Sequence, residues 1–271
     1  MWRILSVFPE LLLRNLIESP TMSNLIQITD THLFSDTARE LYGVNTRQSL
    51  QAVLDDIRAR DLPVDAILVT GDCVHDEGEQ AYRLLGEMLA GLSVPVHYLP
   101  GNHDNATVLQ SVLVNAPLDG MHHFLLPSWL IVMLDSSLPG KVEGEVLPST
   151  LDKLDTLLQQ HPDTPVLVAV HHHPLKVGSQ WMDRIGLING DALMQILNGF
   201  GQVRVLINGH IHQSLEVISG HVQVLGTPST CFQFMPATPE AGIDTAPPAY
   251  RYLQLFDDGS FATRLYQLGQ D

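Results

Sequence analysis

Five short apolar runs, each followed closely by Asp, Asn or His, constrain this chain more than any other feature it has. Leu25–Thr29 leads into Asp30 and His32, Ala66–Thr70 into Gly71 and Asp72, and Val94–Leu99 into Gly101, Asn102, His103 and Asp104. Val166–Val170 leads into His171, His172 and His173, and Val203–Ile207 into Asn208, Gly209, His210 and His212. Runs this short and this apolar read as strands buried on both faces, as in a parallel sheet. Helical periodicity fills the intervals: Leu50, Val53, Leu54 and Ile57 behind a capping Thr46, then Glu79–Leu89, Ala106–Val114, Ser149–Gln160 and Asp191–Leu197. Trp129–Leu134 adds a strand. The tail turns β-rich, with short strands at Leu215–Ile218, Val222–Leu225, Tyr250–Phe256 and Phe261–Leu265, the last two joined by a turn at Asp258-Gly259. Residues 236–249, rich in Pro, Thr and Ala, read as a loop because strand sequence resumes beyond them. The alternation predicts an α/β fold without internal repeats, with residues 22–271 forming one domain whose C-terminal part is β-rich.

Residues 1–21 read as a dispensable N-terminal extension ahead of Met22, consistent with an upstream start codon. Pro9, Glu10 and Arg14 interrupt the apolar run that a signal peptide needs, and no small-residue cleavage site follows. No stretch approaches the ~18 apolar residues of a membrane span. Cys73 and Cys231 make no disulfide framework and are expected to act as small buried hydrophobes. A reducing, cytoplasmic setting is the expectation.

Five strands that deliver Asp, Asn or His at their C-terminal ends point to a ligand site at that edge of the sheet. One such motif alone is a common accident of turns; five at equivalent ends are not. Carboxylate, imidazole and carboxamide oxygen suit Mn²⁺, Fe²⁺ or Zn²⁺, and the missing thiolate excludes a structural cysteine-zinc site. Seven candidates (Asp30, His32, Asp72, Asn102, His171, His210 and His212) are too many for one ion. They suit two ions ~3.5–4 Å apart sharing a carboxylate. The formal net charge of the chain is −16, which argues against nucleic-acid or anionic-membrane partners. An anionic substrate must then be held by local positive charge. Two divalent ions beside Asp30 and Asp72 would supply it.

These residues resemble the five-block signature of calcineurin-like metallophosphoesterases: Asp30 and His32; Gly71, Asp72 and Asp76; Gly101 through Asp104; His171; and Gly209, His210 and His212. The blocks cover roughly residues 25–212. Within that family the chain is most similar to bacterial class III cyclic-AMP phosphodiesterases, through Gln27–Phe34, Gly43–Thr46, His171–Pro174, Gly209–Gln213 and Thr227–Cys231. The resemblance implies a four-layer αββα sandwich and a dinuclear centre of Fe²⁺ or Mn²⁺, with Zn²⁺ an alternative. In it, Asp30, His32 and His212 would hold one ion, Asn102, His171 and His210 the other, and Asp72 would bridge. A hydroxide between the ions would attack phosphorus in line and convert 3′,5′-cyclic AMP to 5′-AMP, lowering cellular cyclic AMP. His103 would protonate the leaving oxygen, with Asp104 orienting its imidazole. Substrate would be touched by His32, Asp72, Asn102, His103, His171 and His212. Alternatives are the same site acting on another phosphodiester or a phosphomonoester, such as a glycerophosphodiester, and a non-catalytic scaffold with this fold. Oligomeric state is not legible.

Other residues carry plainer expectations. His172 and His173 read as supports for a ligating neighbour. His75, His122, His123, His161 and His221 read as surface or loop residues, although His75 lies close to Asp72, and His97 reads as packed or partly exposed within its strand. Asp76 reads as a helix cap or a support for the Asp72 loop. Phe232 and Phe234 fit either an apolar rim or a surface beside a base.

Overall fold

The computed structural model describes residues 22–270; the N-terminal extension expected at residues 1–21 lies outside them. In chain order, β1 (Met22–Ile28) leads through α1 (Thr46–Arg60) to β2 (Ala66–Thr70), and through α2 (Glu79–Ala90) to β3 (Val96–Leu99). Next come α3 (Ala106–Val112) and the antiparallel pair β4 (Met121–Leu125) and β5 (Leu130–Leu134). The helix α4 (Pro148–Gln160), β6 (Val166–Val170), α5 (Gly190–Gly199) and β7 (Val203–Asn208) follow. Two hairpins end the chain: β8 (Leu215–Ser219) with β9 (Val222–Gly226), and β10 (Ala249–Phe256) with β11 (Phe261–Gln267).

These strands form two sheets, ordered β11-β10-β1-β2-β3 and β8-β9-β7-β6-β5-β4. The inner pairings β1 to β3 are parallel, as are those linking β5, β6, β7 and β9. Because strand side chains alternate between faces, each fully apolar strand feeds two cores. Ile67 and Val69 of β2 pack under α1 and α2 with Leu50, Leu54 and Leu85, whereas Ala66 and Leu68 face the second sheet. Likewise Val166, Val168 and Val170 of β6 pack under α4 and α5, while Leu167 and Ala169 meet Leu68 and Leu253 between the sheets. Helices, sheet, sheet and helices therefore stack as an αββα sandwich. Each core side chain removed from water contributes about 1.5–3 kcal/mol.

Local readings shift where tertiary partners intervene. Asn45, not Thr46, caps α1: its side chain accepts the Gln48 N–H at 2.9 Å, while Thr46 is buried as the first helical residue. The third strand begins at Val96 because Val94 and Pro95 precede the pairing with β2. The edge strand β4 escapes the apolar pattern because its faces are mixed: His122 meets the buried His97 at 2.9 Å, and the Phe124 ring stacks on His97 at 3.6 Å. Within 236–249 the short strand Ile243–Asp244 pairs with Gln233–Phe234. No helix among the described residues is long and apolar enough to cross a membrane.

The largest buried charged side chain is Arg251 on β10, with no exposed area. Its guanidinium donates to Thr227 Oγ1 (2.9 Å), Thr263 Oγ1 (3.0 Å) and the Gly226 carbonyl (3.0 Å), so the charge is dispersed over neutral acceptors as well as Glu216. Arg251→Ala strips those acceptors of their donor and opens a void. It is expected to destabilise the fold by about 2–4 kcal/mol in urea melts.

Candidate metal centre

All five chemistry-bearing loops meet at the C-terminal ends of β1, β2, β3, β6 and β7. The chain leaves those strands through backbone that L-residues rarely adopt. Asp30 (φ 54°), His32 (φ 44°), Asp72 (φ 48°), His210 (φ 66°) and His212 (φ 48°) all lie in the left-handed region. Each such residue is strained by about 1 kcal/mol or more and persists only where its surroundings over-determine it. Backbone bonds do so here: Asp30 N–H donates to Gly71 O (3.0 Å), and His32 N–H to Asp72 O (2.9 Å).

The side chains are then fixed from behind. Asp30 accepts the Thr29 hydroxyl (2.7 Å) and the His210 N–H (3.2 Å), and Asp72 accepts the His103 N–H (2.9 Å). His171 Nδ1 lies 2.8 Å from the Thr70 carbonyl, and His212 Nδ1 lies 2.7 Å from that of Phe232. A carbonyl only accepts, so each Nδ1 carries a proton and Nε2 is the inward nitrogen, the one that offers a lone pair once the ring is neutral.

What those lone pairs face is other acceptors. His212 Nε2 is 3.2 Å from Asp30 Oδ1 and 3.3 Å from His32 Nε2, which is 3.7 Å from Asp72 Oδ2. On the other side, His171 Nε2 is 3.4 Å from Asp72 Oδ1 and 3.3 Å from Asn102 Oδ1. Asp72 thus offers one oxygen to each set. His210, edge-on to His171 and stacked on His173, has a buried Nε2 with no partner among the described residues. Acceptors packed against acceptors repel unless something electropositive sits between them, and this donor set fits two divalent cations.

The ionisation pattern has the same cause. Burial would raise the Asp72 carboxyl, but the imidazoles of His171, His103 and His32 outweigh it and hold it well below the usual carboxylate range. Burial likewise opposes charge on His171, yet Asp72 and Asp30 push its imidazole up to about 9. For His210, burial and the adjoining His172, His171 and His173 rings hold the pKa well below its ordinary value.

All seven expected ligand side chains therefore converge. His103 stands beside them in the cleft, its ring edge-on to His32 (5.0 Å) and stacked on His75 (4.5 Å). Two expectations need correction. Asp104 makes no hydrogen bond to the His103 imidazole among the described residues. It accepts N–H groups of Cys73 (3.0 Å), Val74 (3.1 Å) and Gly101 (2.8 Å) and the Tyr82 hydroxyl (3.0 Å), clamping two ligand loops together. Burial and the nearby Asp72 raise its pKa to about 7 despite those donors. His75 is no bystander either, since its Nδ1 lies 3.3 Å from His32 Nδ1. Ser136 Oγ (2.7 Å) and the Val142 carbonyl (3.1 Å) occupy the two ring nitrogens of His172, whose ring packs edge-on to His171 (4.9 Å). Asp76 ties the loops after β1 and β2 by accepting the Ser35 N–H (2.9 Å). Phe232 packs on His32 and His212, and Phe234 lines the cleft with Trp181, Met182 and Ile185. Of these, Ser35, Tyr82, Ser136, Val142, Trp181, Met182 and Ile185 were not singled out by any pattern in the sequence.

A profile of the calcineurin-like phosphoesterases matches residues 23–214. The 3′,5′-cyclic adenosine monophosphate phosphodiesterase CpdA of Haemophilus influenzae is 37% identical over 254 residues, covering 93% of this chain and 92% of that protein. CpdA of Escherichia coli K12 is 38% identical over 245 residues, covering 90% and 89%. Among solved structures, a dimetal phosphatase from Danio rerio superposes with a TM-score of 0.66 at 17% identity, over 89% of this chain and 98% of that one.

Gly101 offers a direct probe of the site. A Cβ there would overlap Asp72 Oδ1 and His171 Nε2. Gly101→Ala is expected to keep the circular dichroism spectrum of the fold while weakening metal binding by roughly 10–100-fold, as disturbed ligand supports do. Equilibrium dialysis against Mn²⁺ measures it.

Proposed function

This chain belongs to the calcineurin-like phosphoesterase family, and on that premise we propose that it hydrolyses 3′,5′-cyclic AMP to 5′-AMP with two divalent metal ions. The reaction class is carried by one observation: two sets of inward lone pairs share the carboxylate of Asp72. The substrate is supported by the relatives named for that activity, which align over about nine-tenths of the chain. Asp30, His32 and His212 would hold one ion, Asn102, His171 and His210 the other, with Asp72 between them. An all-nitrogen-and-oxygen donor set favours Fe²⁺ or Mn²⁺ over a thiolate-seeking metal.

When bound, such ions neutralise phosphoryl oxygens and lower the pKa of a water at neutral pH. The chain's own residues then do the rest. Asn102 and the ligand imidazoles fix where phosphorus sits, and the buried floor excludes competing water. As attack breaks the P–O3′ bond, the departing oxygen needs a proton, and His103, which lines the cleft beside His32, would give it. Its backbone is tethered to Asp72, and its ring is braced by His75 rather than Asp104. The oxygen added to phosphorus comes from water, which releases a proton to solvent, while His103 gives one to O3′ and regains it from solvent; because water itself attacks, no covalent enzyme intermediate is required.

Metal-stripped protein reloaded with Mn²⁺ or Fe²⁺ is expected to form 5′-AMP from cyclic AMP in a chromatographic product assay, and Asn102→Ala to abolish it. Faster cleavage of a glycerophosphodiester at matched metal would overturn the substrate assignment. For His103→Ala, kcat should fall by about 10²–10⁴-fold with a smaller change in KM, because the lost group acts in the transition state.

A further inference from the structure

Three candidate ligands are imidazoles whose outer nitrogen has a partner, and the partners differ in kind. Behind His171 and His212 stand the carbonyls of Thr70 and Phe232, which can only accept. Behind His32 stands another imidazole. His32 Nδ1 lies 3.3 Å from Nδ1 of His75, while its Nε2 faces His212 and Asp72. A neutral imidazole donates from one nitrogen and accepts at the other. A cation held by His32 Nε2 leaves the ring proton on His32 Nδ1, so the contact is favourable only when His75 presents a lone pair there and keeps its own proton on Nε2.

The backbone places His75 for this contact. The loop after β2 runs alongside the loop after β1, bridged at Leu33 and Val74, and His75 N–H donates to Leu33 O at 2.8 Å. Its half-buried ring packs against Phe34 (4.9 Å) and stacks on His103 at 4.5 Å and 22°. His32, His75 and His103 close a triangle: the His32 ring centroid is 5.4 Å from that of His75 and 5.0 Å from that of His103. Asp104 turns away to Cys73, Val74 and Gly101. Among the described residues the His103 imidazole therefore has no hydrogen-bonded support, and ring packing is what holds it.

We propose that His75 is a positioning residue for both neighbours: its Nδ1 accepts the His32 Nδ1–H and so turns the His32 lone pair inward, and its ring face holds the His103 imidazole beside the cleft. One side chain thereby aligns a candidate ligand with the donor of the leaving-group proton. The assignment rests on the roles given to His32 and His103 above and adds the residue that sets them relative to each other. It also makes His32 the ligand whose tautomer a side-chain substitution can release, since backbone carbonyls fix His171 and His212.

Two substitutions separate the two jobs. His75→Phe keeps a ring to stack on and deletes the acceptor. His75→Asn deletes the ring and puts Oδ1 where Nδ1 stood, at the same bonded distance from Cβ. Equilibrium dialysis should show Mn²⁺ binding weakened roughly 10–100-fold in His75→Phe and restored most of the way in His75→Asn. In the Zn²⁺-loaded wild type labelled with ¹⁵N-histidine, His32 Nδ1 should carry a proton coupled through the hydrogen bond to His75 Nδ1. At saturating metal, His75→Asn should lower kcat on cyclic AMP by about 10–100-fold with a smaller change in KM. Bis(4-nitrophenyl) phosphate, whose leaving group needs no proton, should lose far less. An Asn variant no better than Phe in dialysis, or a proton on His75 Nδ1, overturns the acceptor role. Equal losses on both esters, or none, overturn the bracing of His103. A wild type that cleaves the aryl ester but not cyclic AMP overturns the substrate reading instead; the bracing is then read on a glycerophosphodiester, whose leaving oxygen also needs a proton.

Discussion

The carboxylate of Asp72 is the point on which the two halves of this molecule are registered. It sits at the end of β2 in left-handed backbone, 2% exposed, with one oxygen toward His32 and the other toward His171 from the opposite sheet. Nothing about such an arrangement is favourable for an isolated chain. A buried anion, several imidazole lone pairs and five left-handed residues all cost free energy, and only cations in their midst would offset it. The bonds behind the ligands decide which way they point. Thr70 and Phe232 carbonyls choose the tautomers of His171 and His212, and the His103 N–H steadies Asp72.

The frame beneath is equally specific about polar groups. Gln27 Nε2 donates to Thr70 Oγ1 (2.9 Å), Gln27 Oε1 accepts from Thr227 Oγ1 (2.6 Å), and Thr227 in turn accepts from Arg251. This buried relay starts in the C-terminal hairpin and ends on the residue whose carbonyl orients His171. It lies between sheets that are otherwise joined by Leu25, Leu68, Ile131, Leu167 and Leu253. A satisfied polar network inside an apolar sandwich fixes one register of the sheets, because any slip would orphan several buried groups at once. The β-rich tail therefore belongs to the site as well as to the fold.

Much of the fold was legible because parallel strands buried on both faces leave an unmistakable apolar signature. β1, β2, β6 and β7 were all visible that way. The edge strand β4 was not, since it has a strand neighbour on one side only and His122 finds its place by meeting His97 of the other sheet. The candidate ligands were legible for a different reason: the residue types that bind metal are few, and here they recur at strand ends. Supporting residues resisted reading because support is a matter of reach. Asp104 adjoins His103 in sequence, yet its carboxylate turns back to Cys73, Val74 and Gly101. His75 is remote from His103 in sequence and stacks on it.

By itself, then, the sequence determined the strand-and-helix alternation, the sheet edge where the chemistry gathers, and the seven candidate donors, because hydrophobic period and side-chain chemistry are local properties. The tertiary structure alone decided which oxygen of Asp72 faces which set, which nitrogen of each histidine turns inward, and that Trp181 stands edge-on to Phe234 beside the cleft. Those are properties of side chains brought from strands and loops far apart in the chain, and no local pattern encodes the distance between them.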